Sequence, residues 1–124
     1  LRPEKLARRM THWQGVVNAA CEQSGRACVP EVRSPLHFGD WLQQEDPGFR
    51  LVLAPGAEHS LARVDIPGRA ELAVGPEGGF SEVELDLMAT HSVRAVSLGP
   101  RVLRTETAAP AAVAVMQALG GDFA

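Results

Sequence analysis

Apolar residues at Leu6, Met10, Trp13, Val17 and Ala20 step along the chain by four, three, four and three, which places them on one face of a helix. That helix is expected from about Pro3, a residue suited to a first turn, to Ser24, with Gly25 suited to its end. Beyond it the pattern changes to short continuous apolar runs. Val29 to Val32 reads as a short strand, Arg50 to Ala54 as a buried strand stopped by Pro55-Gly56, Leu72 to Val74 as the next strand and Ala95 to Leu98 as the last. Between them, Phe38 to Gln44 reads as a short helix, Asp46-Pro47-Gly48 as a turn, and Glu58 to Arg69 as loop with room for one helical turn. Ser81 followed three residues later by Glu84 makes a capping box for a helix that ends near Thr90, with Val83, Leu85, Leu87 and Met88 on its apolar side. An Ala-rich helix from Ala111 to Leu119 closes the pattern.

Strands that alternate with helices and are themselves continuously apolar predict an α/β fold with a mostly parallel sheet flanked by helices. Ligands of such sheets bind beyond the carboxyl ends of the strands. Three segments meet that description: Pro55-Gly56, Gly75 to Gly79, and Gly99 to Thr107. Their glycines let a backbone come close to a ligand or take positive φ without steric penalty.

A length of 124 residues makes one domain, large enough to bury roughly two thirds of its unfolded surface. The net charge of −3 disfavours a free-standing nucleic-acid binder. The charge is uneven, however: residues 1 to 33 carry a net +3 and the remainder −6. The basic end is therefore either a face for RNA or an ordinary solvated helix surface. Cys21 and Cys28 form no CxxC and have no histidine at ligand spacing, so no metal and no disulfide framework is expected. No apolar stretch is long enough to span a membrane, which leaves a cytoplasmic protein as the expectation.

The glycine run GPEGG, before a helix start, could cradle phosphate. No Gly-Lys-Ser/Thr follows, Glu77 would repel an anion, and Ser81 already serves as a cap. A neutral or cationic ligand fits better.

Taken together, GPEGGFS (Gly75 to Ser81) and LGPRVLRTETA (Leu98 to Ala108), with CEQSGR (Cys21 to Arg26) and VPEV (Val29 to Val32) upstream, resemble the RsmE-type family, the 16S ribosomal RNA uridine-N3 methyltransferases of the SPOUT superfamily. The match covers nearly the whole chain in the right order. The resemblance implies that residues 1 to 124 are a SPOUT methyltransferase domain whose last loop and helix form a trefoil knot. It also implies S-adenosylmethionine as cofactor, methylation of N3 of a uridine in 16S rRNA of the small ribosomal subunit by direct SN2 transfer, and a homodimer. Family members usually carry an amino-terminal RNA-binding β-barrel. Since the chain opens at Leu1 without a Met and enters a helix almost at once, such an upstream part is expected.

By the same resemblance the cofactor sits against Leu53, Gly56, Gly75, Glu77, Gly78, Leu98, Gly99, Leu103 and Thr105. Arg104 is the guanidinium expected to face the uridine, where paired charge-assisted hydrogen bonds would steady the anion left by deprotonation of N3. Glu106 accepts the proton, orients Arg104, or forms a buried ion pair with it. Arg101 shares the catalytic assignment or grips RNA phosphate. Arg26 either reaches RNA phosphate or pairs locally with Glu22, four residues away. Thr105 and Thr107 are helix caps or cofactor ligands. Pro110 departs from the family pattern, which has Ala or Leu there. It fits a first turn if Thr107 is the cap, and removes a hydrogen bond if the helix begins earlier. The alternative function is a knotted module that binds cofactor or RNA without turnover.

Overall fold

The computed structural model describes residues 2–45 and 47–123; Asp46, and with it the start of the expected Asp46-Pro47-Gly48 turn, lies outside the described residues. Two compact units divide the chain, one up to Phe38 and one from Gly39 onward.

The first unit is built on α1, Pro3–Ser24, bounded as its apolar spacing predicts, with proline in the first turn and Gly25 closing it at φ 72°. The least exposed line on α1 is Leu6, Met10, Gln14, Val17 and Cys21. Trp13, expected on the apolar face, is 40% exposed. The segment Val29 to Val32 is not the predicted strand. Its polar backbone groups go elsewhere: the Gln14 side chain accepts from the Val32 N–H at 2.8 Å and donates to the Pro30 carbonyl at 3.1 Å. Pro30 has no N–H for a ladder. One glutamine thus holds this segment through two hydrogen bonds, a contact apolar periodicity cannot reveal.

The second unit contains most of α2 (Phe38–Leu42), β1 (Arg50–Leu53), a 3₁₀ turn at Leu61–Arg63, β2 (Glu71–Val74), α3 (Glu82–Thr90), β3 (Val93–Val96) and α4 (Thr105–Gly120). The three strands form a parallel sheet in the order β2-β1-β3. Central β1 is buried on both faces, with Leu51 at 0% and Val52 at 1% exposure, which is why its sequence is a continuous apolar run. On one face Leu51 packs with Leu61, Val64, Val96 and Ala112, bordered by Leu72, Val115 and Met116. On the other, α3 packs along β3, and buried Met88 is its anchor.

β3 begins two residues before the expected Ala95 and ends at Val96. Its Arg94 interrupts the apolar run in the sequence, yet the guanidinium lies over the Phe49 ring, 5.8 Å from its centre, so the strand passes through it. Ser97 then bridges to Ser60, accepting from Leu61 N–H and donating to the His59 carbonyl, both at 2.9 Å. This bridge ties the β1–β2 connection to the end of β3.

Helix α4 starts at Thr105 rather than near Ala111, with Arg104 as its N-cap. Pro110 is consequently an interior residue, and the Glu106 carbonyl four residues earlier loses its helical donor.

Candidate functional site

Register decides where the three glycine-bearing loops emerge. Leu53, the last residue of β1, is level with Val74 on one side and Val96 on the other, so all three strands release their loops at the same height. Between those loops and the first turn of α4 lies a cavity of about 550 Å³, within the range of small-molecule sites.

The loop after β1 contributes Ala54 and Pro55 to this cavity. The loop after β2 contributes Gly75 to Phe80, folded by a hydrogen bond from Gly79 N–H to the Pro76 carbonyl at 2.7 Å. Its far end is fixed by the predicted capping box: Ser81 Oγ accepts from Glu84 N–H at 3.1 Å, and Ser81 N–H donates to Glu84 Oε1 at 2.8 Å. A Cβ on Gly75 would stand 3.1 Å from two carbons of the Phe80 ring. The pressure for glycine here thus comes from a neighbour's side chain, not from φ.

The loop after β3 turns at Gly99, where φ is +85°, a region that disfavours any residue with a Cβ. Arg101, Val102, Leu103 and Arg104 then pass along the cavity to α4. The Arg104 backbone is extended (φ −66°, ψ 152°) and makes no side-chain cap bond. Its carbonyl accepts from Thr107 N–H at 2.9 Å and Ala108 N–H at 2.7 Å. The hydroxyls of Thr105 and Thr107 therefore do not cap α4, which overturns the cap reading for both. Thr105 is half-buried and lines the cavity.

Four charged side chains border the space: Glu77, Arg101, Arg104 and Glu106. Among the described residues the one ion pair is Glu31 with Arg33, so these four are not neutralised by one another. The buried Arg104–Glu106 pair, one of the readings of the sequence, is not formed.

Leu53, Gly75, Glu77, Gly78, Leu98, Gly99, Leu103 and Thr105, expected around a cofactor, all line the cavity with Arg101, Arg104 and Glu106; Gly56 does not, its place being taken by Pro55. Arg26 lies in the first unit, where its Nε donates to the Cys28 carbonyl at 2.9 Å. It makes no ion pair with Glu22 among the described residues. Among the lining residues that sequence reasoning did not assign to the site are Phe80, Leu85, Ala54, Val74, Ser97, Val102 and Ala108. For the first two a signal existed: they flank the Ser81 cap at the positions where apolar residues staple a helix start. Among the described residues no three His, Cys, Asp or Glu side chains group as a metal site, and no helix is long and apolar enough to cross a membrane.

Residues 2–117 match the family described as RNA methyltransferase domain. The chain is similar to a Legionella pneumophila protein solved with SAM bound, at 41% identity and a TM-score of 0.90, over 98% of this chain and 51% of that one. It is similar also to ribosomal RNA small subunit methyltransferase E of Neisseria gonorrhoeae, solved with S-adenosyl methionine, at 38% identity and a TM-score of 0.87, over 97% and 52% of the two chains. A curated protein named ribosomal RNA small subunit methyltransferase E, from Buchnera aphidicola, is 33% identical over 116 residues, 90% of this chain and 46% of that protein. The resemblance to the RsmE-type family read from the loop motifs is thereby borne out. The chain spans about half the length of the relatives it matches.

Proposed function

Because the chain belongs to the RNA methyltransferase domain family, we propose that it binds S-adenosylmethionine in the three-loop cavity and methylates small-subunit ribosomal RNA at N3 of a uridine. The observation that carries this reading is the level ending of three parallel strands at one cavity, with the four bordering charges left unpaired with one another. The donor set fits the cofactor. Backbone groups at Gly75, Gly78 and Gly99 suit adenine and ribose, Leu53, Leu98 and Leu103 form apolar walls, and the Glu77 carboxylate tolerates a cation. When bound, S-adenosylmethionine supplies an electrophilic methyl group on a sulfonium.

The chain's own residues do the rest. Glu106 accepts the N3 proton of the uridine. Arg104 donates to one of the two carbonyl oxygens on which the resulting negative charge spreads, leaving the in-plane lone pair of N3 open to the methyl group. Arg101, further along the same loop, shares that role or holds a phosphate of the RNA, and Arg26 holds another. The reading includes passage of the last loop and α4 through a trefoil knot, an RNA-binding β-barrel ahead of these residues, a cytoplasmic location and a homodimer. Exposed Val113 and Leu119 on α4 suit the homodimer.

Two measurements test the reading. Calorimetry with S-adenosylmethionine and with ATP should give binding of the first alone; binding of ATP alone would remove the methyltransferase. Digestion of small-subunit RNA after incubation, with mass spectrometry of the nucleosides, should yield 3-methyluridine. Cofactor binding with no methylated product, in the intact protein and on assembled subunits, would favour the non-catalytic module.

A further inference from the structure

The turn between β2 and α3 doubles back so that Phe80 lies on Gly75, five residues earlier. A side chain at position 75 would begin 3.1 Å from Phe80 Cδ2 and Cε2 and 3.3 Å from the carbonyl carbon of Gly79. Both partners line the cavity. The ring's place relative to the next helix start also matters. Ser81 is the N-cap of α3 with both hydrogen bonds of a capping box, which puts Phe80 at the position before the cap and Leu85, another lining residue, at the fourth helical position. Those two positions form the apolar staple that fixes the angle at which a chain enters a helix.

We propose that Phe80 is the positioning residue of the cofactor cavity. Its ring fills the volume left by the missing Cβ of Gly75 and clamps the Pro76–Gly79 turn closed, so that the turn's main chain faces the ligand. Gly75 and Phe80 then act as one unit, and the glycine at 75 is small because the ring must sit on it. The inference rests on the proposed S-adenosylmethionine site and assigns the shaping of that site to a side chain outside the motif's glycines. It also sets a limit on position 75, since one of the three closest atoms is backbone, the Gly79 carbonyl carbon, which yields less readily than a flexible side-chain tip.

A double-mutant cycle read by calorimetry tests it, using S-adenosylmethionine with wild type, Gly75→Ala, Phe80→Ala and the double variant, and the unliganded melting midpoint of each. Each single change should weaken binding by about tenfold, and the double variant should bind no more weakly than Phe80→Ala alone, because contacting residues couple by that order. Phe80→Leu, which keeps an apolar staple, should retain most of the affinity. It also carries the cycle if the alanine variant does not fold: in its background the Gly75→Ala penalty should shrink several-fold. Fully additive losses, or unchanged affinity in Phe80→Ala, would overturn the pairing. So would affinity losses that merely follow the melting midpoints. Failure of the wild type itself to bind S-adenosylmethionine would remove the cofactor reading and the inference with it, a result distinct from the others.

Discussion

Arg104 occupies a helix N-cap, where Ser, Thr, Asp or Asn would each satisfy an exposed N–H and where the helix dipole disfavours a cation. It provides no side-chain cap bond, whereas Ser81 at the start of α3 provides a complete box. α1 likewise begins at an arginine without a side-chain cap bond, Arg2, so the bare cap at Arg104 forgoes local stability without by itself marking a site. Arg104→Ser should therefore raise stability by about 1 kcal/mol, read by denaturant unfolding, while methyl transfer falls sharply and cofactor affinity is nearly kept. Unchanged turnover would remove Arg104 from the chemistry. Arg50 is the opposite case. It is 2% exposed and donates to the carbonyls of Trp41, Leu42 and His91 at 2.8, 3.3 and 3.0 Å, with its guanidinium 4.7 Å from the centre of the Trp41 ring. Its charge is met by carbonyls at the carboxyl ends of α2 and α3, the negative ends of their dipoles. Arg50→Ala would orphan three carbonyls at once and should destabilise the fold by about 3 kcal/mol, which the same unfolding measurement reads.

At the scale of elements, α4 bears the most tension between sequence and structure. Its first turn must reach the cavity, so it begins six residues before the Ala-rich run that marks it in the sequence, and Pro110 is caught inside. Pro110→Ala would restore a donor to the Glu106 carbonyl and should raise the melting midpoint by the equivalent of about 1 to 3 kcal/mol. A fall would mean that the helix is kinked to advantage there. At the other end Gly120 lies so close to the 66–72 segment that a Cβ would stand 2.9 Å from the Ile66 carbonyl oxygen. Gly120→Ala should therefore destabilise the protein, although alanine is normally the better helix former. α1, α3 and the two apolar strands β1 and β2 were legible because their signals are local: spacing, a capping box and buried runs. The strand expected at Val29 to Val32 failed because a single long-range partner, Gln14, took its hydrogen bonds. The start of α4 was missed because a bare cap leaves no mark in a sequence.

For the whole molecule, the loops were found by their glycines, and nearly every residue assigned to the cavity from the motifs lines it. Their mutual distance was a different matter. It depends on strand order and register, quantities no short motif encodes, and those came only with the sheet. If the cavity takes the cofactor, its occupant ties together all three loops. S-adenosylmethionine at a hundredfold excess over Kd should then stabilise the fold by about 2.7 kcal/mol, with ATP giving no shift; equal shifts from both would point to a nonspecific site.

The flush ending of the three strands also limits how such a protein can change. Loop sequence and loop length are open to variation, because the sheet fixes only where each loop departs. Strand length is not. Two residues added to β2 would preserve which side chains face in and which face out, and so would leave the core intact, yet they would carry the Gly75–Phe80 turn about 7 Å outward along the sheet. The result would be a well-folded protein with one wall of its cavity displaced, in which stability and ligand binding part company.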